Sequence, residues 1–313
     1  MGIKNLNKFV REKCPNSIQC ISMSELQGKS IAVDISIYIY KYHSEESLLE
    51  NIYLMMMLFR NYGIIPVFVF DGKSPAEKRE LLVKRKKDKN SAKNEFMLLK
   101  EQLLSATEQD RQEIITTMDV LKKQFVSINK QQIENVKALI HACGMMWIDA
   151  PGEADQLCAS LVLNKKVWAC LSDDMDMFVY GATRVLRYLS LMNHTVVLYH
   201  MKNILKDLLM TQQDFCKMCI LSGTDYNLTS CEKNMSLNEI YSIFTKYKKE
   251  EYLDEFYEWI LQTIPNYIPN KESLLQVCEL FKIPEFTESF TVLQKPLNMK
   301  MIKELLEPEG FFF

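Results

Sequence analysis

Glycine is scarce in this chain. Nine occur in 313 residues, about 3% where ~7% is usual. That excludes collagen-like and low-complexity sequences and leaves little material for loops that cradle phosphates. Two Gly-Lys-Ser tripeptides, at 28–30 and 72–74, look like fragments of a Walker A loop. The motif needs another glycine five positions upstream, where Met23 and Val67 stand instead. No GxGxxG occurs, so the common dinucleotide fingerprint is missing too. Long apolar runs are also lacking: the longest, Ile52 to Phe59, has eight residues, against the ~18 that a membrane span needs. The N-terminus shows no signal-peptide pattern, and Leu6 stands where myristoylation wants Ser or Thr. A soluble, intracellular protein with no membrane partner is expected.

Nine cysteines, an odd number spread through apolar stretches, fit a reducing compartment rather than a disulfide framework. Cys216 and Cys219, with Cys231 and His200 nearby in sequence, are zinc-ligand types. The segment from Phe215 to Leu221 reads as the buried face of a helix, however, and no zinc site is expected.

Apolar runs rich in β-branched and aromatic residues predict strands at Ile31–Ile37, Ile64–Phe70, Met145–Ile148, Val167–Leu171, Arg184–Tyr188 and Val196–Tyr199. Helical patterns lie between them. The alternation predicts an α/β fold with a mostly parallel sheet, and such sheets bind ligands beyond the carboxyl ends of their strands.

Carboxylates stand at those ends. Asp34 lies inside the first predicted strand, and Asp71 follows the second. Glu153 and Asp155 follow the third, Asp174 and Asp176 the fourth, and Asp225 follows a helix. An Asp after a strand is ordinarily a cap or turn residue. Asp34 fits that reading poorly, because an acid flanked by Ile31, Ala32, Val33, Ile35 and Ile37 is costly to bury unless paired or metal-bound. Acids at i, i+2 repel unless a cation holds them. All-oxygen ligation suits Mg²⁺ or Mn²⁺, and the four histidines lie away from these acids.

Gly72 to Gly144 spans 73 residues, where a crossover between parallel strands needs about a dozen. This excursion must carry its own structure. From Lys73 to Lys93 it holds nine Lys/Arg against three acids, in a chain whose formal charge is −2. A charge run is ordinarily a solvated helix face; directly after Asp71 it also suits a polyanion such as nucleic acid. Ile114, Met118, Leu121, Phe125 and Ile128 then form a heptad-like seam. Leu81, Leu82, Phe96, Leu99 and Leu103 offer a partner face. Beyond Asp225 the pattern is helical, at Leu237–Tyr247, Glu250–Gln262, Ser273–Phe281 and Asn298–Leu306.

Six blocks carry a resemblance: Met1-Gly2-Ile3-Lys4-Asn5-Leu6, Val33-Asp34-Ile35-Ser36, Phe70-Asp71-Gly72-Lys73, Ala150-Pro151-Gly152-Glu153-Ala154-Asp155, Ser172-Asp173-Asp174-Met175-Asp176 and Gly223-Thr224-Asp225-Tyr226. In order and spacing they resemble the structure-specific 5′ nucleases, the family of flap endonuclease, exonuclease 1 and the Rad2/XPG-type enzymes. The resemblance implies a PIN-like 5′-nuclease fold, with a catalytic domain at 1–225, a helical arch inserted at 72–144 and a divergent helical DNA-binding region at 226–313. It implies a two-ion Mg²⁺ phosphodiesterase, with Mn²⁺ as substitute, whose seven acids map onto Asp34, Asp71, Glu153, Asp155, Asp174, Asp176 and Asp225. Two ions about 3.5–4 Å apart can activate a water and stabilise the leaving oxygen. Position 155 is Asp where flap endonucleases usually carry Glu, as in the exonuclease 1 branch.

By the same resemblance, Lys78 and Arg85 match the arch cations that meet the scissile phosphate, and seven residues apart on one helix they would share a face. Tyr40 matches a residue that stacks a terminal base; the plainer reading is that Tyr38, Tyr40 and Tyr42 pack an amphipathic helix. Gly2 matches a backbone approach to DNA, and Lys84, Lys86 and Lys87 extend the basic surface. The implied partner is DNA with a 5′ flap or 5′ end, cut in replication, repair or recombination. An exonuclease-1-like or junction-cutting specificity is the alternative, and a non-catalytic scaffold a more distant one.

The chain also departs from the family it resembles. Residues 227–235 contain no glycine where relatives carry a glycine-containing helix–turn–helix that binds a monovalent ion and grips duplex. The ending Glu309-Gly310-Phe311-Phe312-Phe313 lacks the Gln of a sliding-clamp peptide, so clamp binding is not expected. A monomer is expected, acting in the nucleus of a cellular source or at a cytoplasmic replication site if the source is a large DNA virus.

Overall fold

Short runs of Ile, Val and Leu form the strands of one sheet: β1 (Ile18–Ser22), β2 (Ser30–Asp34), β3 (Ile65–Phe70), β4 (Met146–Asp149), β5 (Ala169–Leu171), β6 (Arg184–Ser190) and β7 (Thr195–His200). The structure is a computed structural model that describes all residues except 1, 104–107, 227–234, 251–254, 266, 269, 284–291, 293 and 313. The sheet order is β1-β7-β6-β5-β2-β3-β4. From β6 through β5, β2 and β3 to β4 the pairings are parallel, while β7 runs antiparallel to both β6 and β1. Ile31–Val33 and Val67–Val69 are fully enclosed, as expected for parallel strands covered on both faces.

Two strand readings change. The run predicted as strand to Ile37 leaves the sheet at Asp34 and continues as a helix, Ile35–Ser44. Its apolar residues alternate like a strand, yet Ile35, Tyr38, Ile39 and Tyr42 share one buried helical face. Asp34 therefore ends its strand, level with the other acids, rather than lying within it. β1 was not foreseen: an edge strand with Gln19 and Cys20 exposed has too little apolar pattern to stand out.

The chain forms two compact units. One comprises Met1–Ile35, Met57–Ser74 and Met146–Gln294. It holds the sheet and a continuous core in which Ala32, Val67, Cys170 and Phe178 join Phe215, Ile240, Phe244 and Phe256. The later helices Leu237–Lys249, Phe256–Thr263 and Lys271–Leu280 thus pack into the same core as the sheet. Residues 251–254 of the predicted helix Glu250–Gln262 and the glycine-free 227–234 lie outside the described residues; Glu250 caps the preceding helix Leu237–Lys249 and the next helix begins at Phe256. Cys219 is buried on the helix Gln212–Leu221, and burial pushes the Cys216 thiol up to about 12; Cys231 is not among the described residues.

The other unit comprises Ser36–Met56, Pro75–Met145 and Lys295–Phe313. The excursion supplies helices Arg79–Leu103, Glu108–Gln124 and Lys130–Ala142, the first two packed together. Leu121 is buried in the seam and the rings of Phe96 and Phe125 meet edge to face at 5.3 Å. Leu82, expected on the partner face, is exposed whereas Leu81 is buried; neighbours on a helix point ~100° apart, so only one can face the seam. The final segment is tied to this unit by Lys295 N–H on the Gly144 carbonyl (2.7 Å) and Asn298 N–H on Ala142 (2.8 Å). Among the described residues no helix is long and apolar enough to cross a membrane.

Candidate metal centre

Parallel pairing of β5, β2, β3 and β4 sets their carboxyl ends along one side of the sheet, and the acids stand there. Asp34 closes β2 and is 5% exposed. The buried Ser172, just past β5, donates its hydroxyl to Asp34 Oδ2 (2.9 Å) and accepts the Asp174 N–H (3.1 Å). One serine thereby ties the ends of two strands. Asp174 Oδ1 in turn accepts the Asp176 N–H at 3.1 Å.

Asp71, after β3, is exposed and accepts the N–H of Ala154 at 2.9 Å. Ala154 opens the helix Ala154–Leu163, so this carboxylate sits on a helix N-terminus, where negative charge is favoured. Gly72 continues alongside residues 150–152, donating to the Gly152 carbonyl at 2.7 Å. A Cβ on Gly72 would overlap the Ala150 carbonyl oxygen, so only glycine fits.

Asp155, Asp174 and Asp176 each bring a carboxylate oxygen within 4.8 Å of the other two. Asp155 is nearly and Asp176 wholly buried. Burial, reinforced by Asp71, Asp155 and Asp174, holds the Asp34 carboxyl well above the usual carboxylate range, against the opposing Ser172 hydrogen bond. Like charges gathered this closely repel one another. Asp173 faces elsewhere: it accepts the Tyr188 N–H (2.9 Å) and lies 4.0 Å from the Arg187 guanidinium. That explains why only two acids of the Asp-Asp-Met-Asp block join the group.

Glu153 is half-buried and accepts the Tyr226 hydroxyl at 2.6 Å; Tyr226 is itself 3.1 Å from the Tyr180 hydroxyl. This bond brings the segment of Asp225, also half-buried, toward the helix N-terminus that carries Glu153. Gly2 adopts a left-handed φ of 68°. A Cβ there would lie 2.5 Å from Asp174 Oδ1 and overlap Asp176 Oδ1, so the N-terminal backbone passes directly over two of the clustered acids.

Sequence reasoning missed Ser172, Tyr226 and Tyr180 as supports. Ser172 and Tyr226 stood in the quoted blocks beside acids, which was the available signal; Tyr180 had none.

The cations expected on an arch belong to the other unit. Lys78 ends a 3-10 turn, Ala76–Lys78, and is 8% exposed, while Arg85 is half-buried on the helix Arg79–Leu103. The expectation that one continuous helix carries both is thereby corrected: Pro75 precedes a 3-10 turn, and the α-helix begins after Lys78. Lys84, Lys86 and Lys87 are exposed. Tyr38 and Tyr42 pack inward with ring centroids 5.9 Å apart, but Tyr40 is 49% exposed with the Lys89 ammonium 5.5 Å from its ring centroid. The plain packing reading holds for two of the three tyrosines and not for Tyr40.

The XPG N-terminal domain matches residues 1–92 and the XPG I-region residues 144–225. Flap endonuclease 1 of Xenopus tropicalis is 31% identical over 244 residues, 72% of this chain but 61% of that protein, so the match spans less than two thirds of this relative. Flap endonuclease 1-B of Oryza sativa subsp. indica is 32% identical over 91% of this chain and 70% of its own length. Among solved structures, the catalytic core of Rad2 in complex with DNA substrate superposes with TM-score 0.71 at 20% identity, covering 99% of this chain and 96% of that one. Flap endonuclease-1 from Methanococcus jannaschii superposes with TM-score 0.65 at 22% identity, covering 94% and 91%. With both XPG regions matched in order and a rice relative 32% identical across 70% of its length, the chain belongs to the flap endonuclease/XPG family.

Proposed function

We propose that this chain is a metal-dependent, structure-specific 5′ nuclease that hydrolyses DNA phosphodiesters at 5′ flaps or 5′ ends. The observation that carries the proposal is the gathering of Asp155, Asp174 and Asp176 within 4.8 Å at the carboxyl ends of the parallel strands, inside the segment matched by the XPG I-region.

The donor set fits hard divalent cations. It is carboxylate oxygen throughout; burial chiefly raises the Asp34 carboxyl and the neighbouring acids add to it, and positive charge among the acids offsets that second contribution. Asp34, Asp71, Glu153, Asp155, Asp174, Asp176 and Asp225 are the residues that would hold two Mg²⁺ ions, or Mn²⁺ in their place. Bound there, such ions supply Lewis-acid polarisation of the phosphate and lower the pKa of a coordinated water.

The chain's own groups do the rest. Ser172 fixes Asp34 and the Asp174 backbone, and Tyr226 fixes one Glu153 oxygen. Gly2 lets the N-terminal backbone lie directly against Asp174 and Asp176, where any Cβ would overlap their oxygens. Lys78 and Arg85 are assigned the offsetting of charge that develops on the phosphate as the P–O bond to the leaving oxygen breaks. Lys84, Lys86 and Lys87 are assigned contacts to backbone phosphates, and Tyr40, exposed beneath an ammonium, the stacking of a terminal base. Such an enzyme acts where DNA is handled, in the nucleus of a cellular source or at a cytoplasmic replication site of a viral one.

A panel of 5′-flap, nicked, gapped, blunt and Holliday-junction substrates of one sequence tests the assignment. Cleavage of the 5′ flap at least tenfold faster than of the blunt duplex is expected. Fastest cutting of the intact junction would overturn flap specificity, and cutting of none would overturn the nuclease reading.

A further inference from the structure

A cavity of about 630 Å³ lies at the ends of the same strands opposite the carboxylates. Its wall includes Ser30, which begins the strand that Asp34 ends, Trp168, which directly precedes β5, and Arg184, which begins β6. The strand β2 thus separates this cavity from the carboxylates.

Cations reach it from three elements: Lys165 from beyond the helix Ala154–Leu163, Arg184 from β6 and Lys202 from the helix Met201–Leu208. No Asp or Glu is among its described lining residues. A chain of net charge −2 does not produce that arrangement through general basicity. A helix C-terminus alone attracts cations, which would account for Lys165 but not for Arg184, at the start of a strand, or Lys202, in the first turn of a helix. Lys165 also has a φ of 56°, in the position after a helix C-cap where glycine is the usual occupant.

One of these cations, and a further one outside the lining, stand over an aromatic ring. The Arg184 guanidinium lies 4.9 Å from the Trp168 ring centroid and donates to the Trp168 carbonyl (3.5 Å), and the Lys29 ammonium stands 5.7 Å from the same centroid. Arg184 has five N–H donors, so the bond to Trp168 leaves others for a ligand. Burial, then Arg184, lowers the His200 pKa, keeping its imidazole neutral and able both to donate and to accept. The frame is tied by backbone bonds, Trp168 N–H to Ser30 (2.8 Å) and Met201 N–H to Thr183 (3.1 Å). Val162 and Leu163 add apolar surface.

The size falls in the range of small-molecule pockets, ~300–1,000 Å³, far more than a bare anion fills. We propose that this cavity binds a nucleoside monophosphate, with Lys165, Arg184 and Lys202 on the phosphate and the nucleoside against Trp168, Val162 and Leu163. The recognition is independent of the carboxylate centre.

Calorimetric titration of the full chain in EDTA, which removes any contribution from metal at the acids, tests this with three probes: 5′-deoxyadenosine monophosphate, inorganic phosphate and unphosphorylated deoxyadenosine. The monophosphate is expected to bind saturably and at least tenfold more tightly than either of the others. Lys165→Asn combined with Lys202→Gln should weaken it at least tenfold. Each side chain is exposed, and Asn tolerates a left-handed φ, so the variants should fold; each single change should cost at least threefold, which guards against failure of the double variant. No saturable binding, equal affinity for phosphate and monophosphate, or unchanged affinity in the variants would overturn the proposal.

Discussion

Crowding of Asp155, Asp174 and Asp176 predicts that divalent cation stabilises the folded protein, and that removing one of these charges does so without cation. At 4.8 Å or less, two ionised carboxylates repel by at least ~3.5 kcal/mol at an effective dielectric of about 20. Three such pairs approach the ~5–15 kcal/mol net stability of a typical domain. That repulsion weakens the metal-free fold, and a divalent cation among the carboxylates relieves it. Saturating Mg²⁺ at about 100 times its dissociation constant should add ~2.7 kcal/mol. For a chain of this length that is a rise of about 5 °C in melting temperature. Asp176→Asn keeps the shape of a fully buried side chain while removing its charge. It should raise the melting temperature in EDTA by about 2–4 °C, on the order of 1–2 kcal/mol, and abolish the Mg²⁺-induced rise. Thermal melts of both proteins in EDTA and in Mg²⁺ supply the four numbers needed. A wild-type protein indifferent to Mg²⁺, or a variant that still responds fully, would refute the reasoning.

Other expectations follow from single contacts. Gly2→Ala places a methyl against the Asp174 and Asp176 oxygens; since a displacement of ~1 Å at a reacting centre can cost ~100-fold, single-turnover cleavage should fall at least tenfold with the melting temperature within about 2 °C, and unchanged cleavage would show that the N-terminal backbone does not approach the site. Tyr226→Phe deletes a charge-assisted bond worth ~1.5–3 kcal/mol and should lower cleavage about tenfold in rate with substrate affinity retained; equal losses in rate and affinity would count against a positioning role for the Glu153 contact. Lys78→Ala and Arg85→Ala should each reduce single-turnover cleavage far more than equilibrium binding of a flap duplex, and a loss in binding alone would remove them from the reacting centre.

Most of the sheet is legible in the sequence because parallel strands buried on both faces leave unbroken apolar runs, as at Ile31–Val33 and Val67–Val69. β1 is not, because an edge strand with Gln19 and Cys20 outward carries almost no pattern. The end of β2 is misread because Ile35–Tyr42 alternates like a strand, and only tertiary burial of Ile35, Tyr38, Ile39 and Tyr42 selects the helix. The acids are legible one by one, since each follows a strand or helix. Their mutual approach is not, because it depends on the side-by-side order of β5, β2, β3 and β4, which no local pattern encodes. The same holds for Ser172 bridging two strand ends, for Gly2 crossing over Asp174 and Asp176, and for the three cations that line one cavity at the opposite ends of the strands. The 3-10 turn that separates Lys78 from the helix of Arg85 likewise escapes a periodicity argument that assumes one continuous helix.

The central claim is that the clustered acids perform metal-dependent hydrolysis, and single-turnover cleavage of a labelled 5′-flap duplex tests it most directly. Wild-type protein in Mg²⁺ should cut at the base of the flap, while wild-type protein in EDTA and Asp174→Ala in Mg²⁺ should each fall by at least a thousandfold. Equal cutting under all three conditions, or none under any, would contradict it.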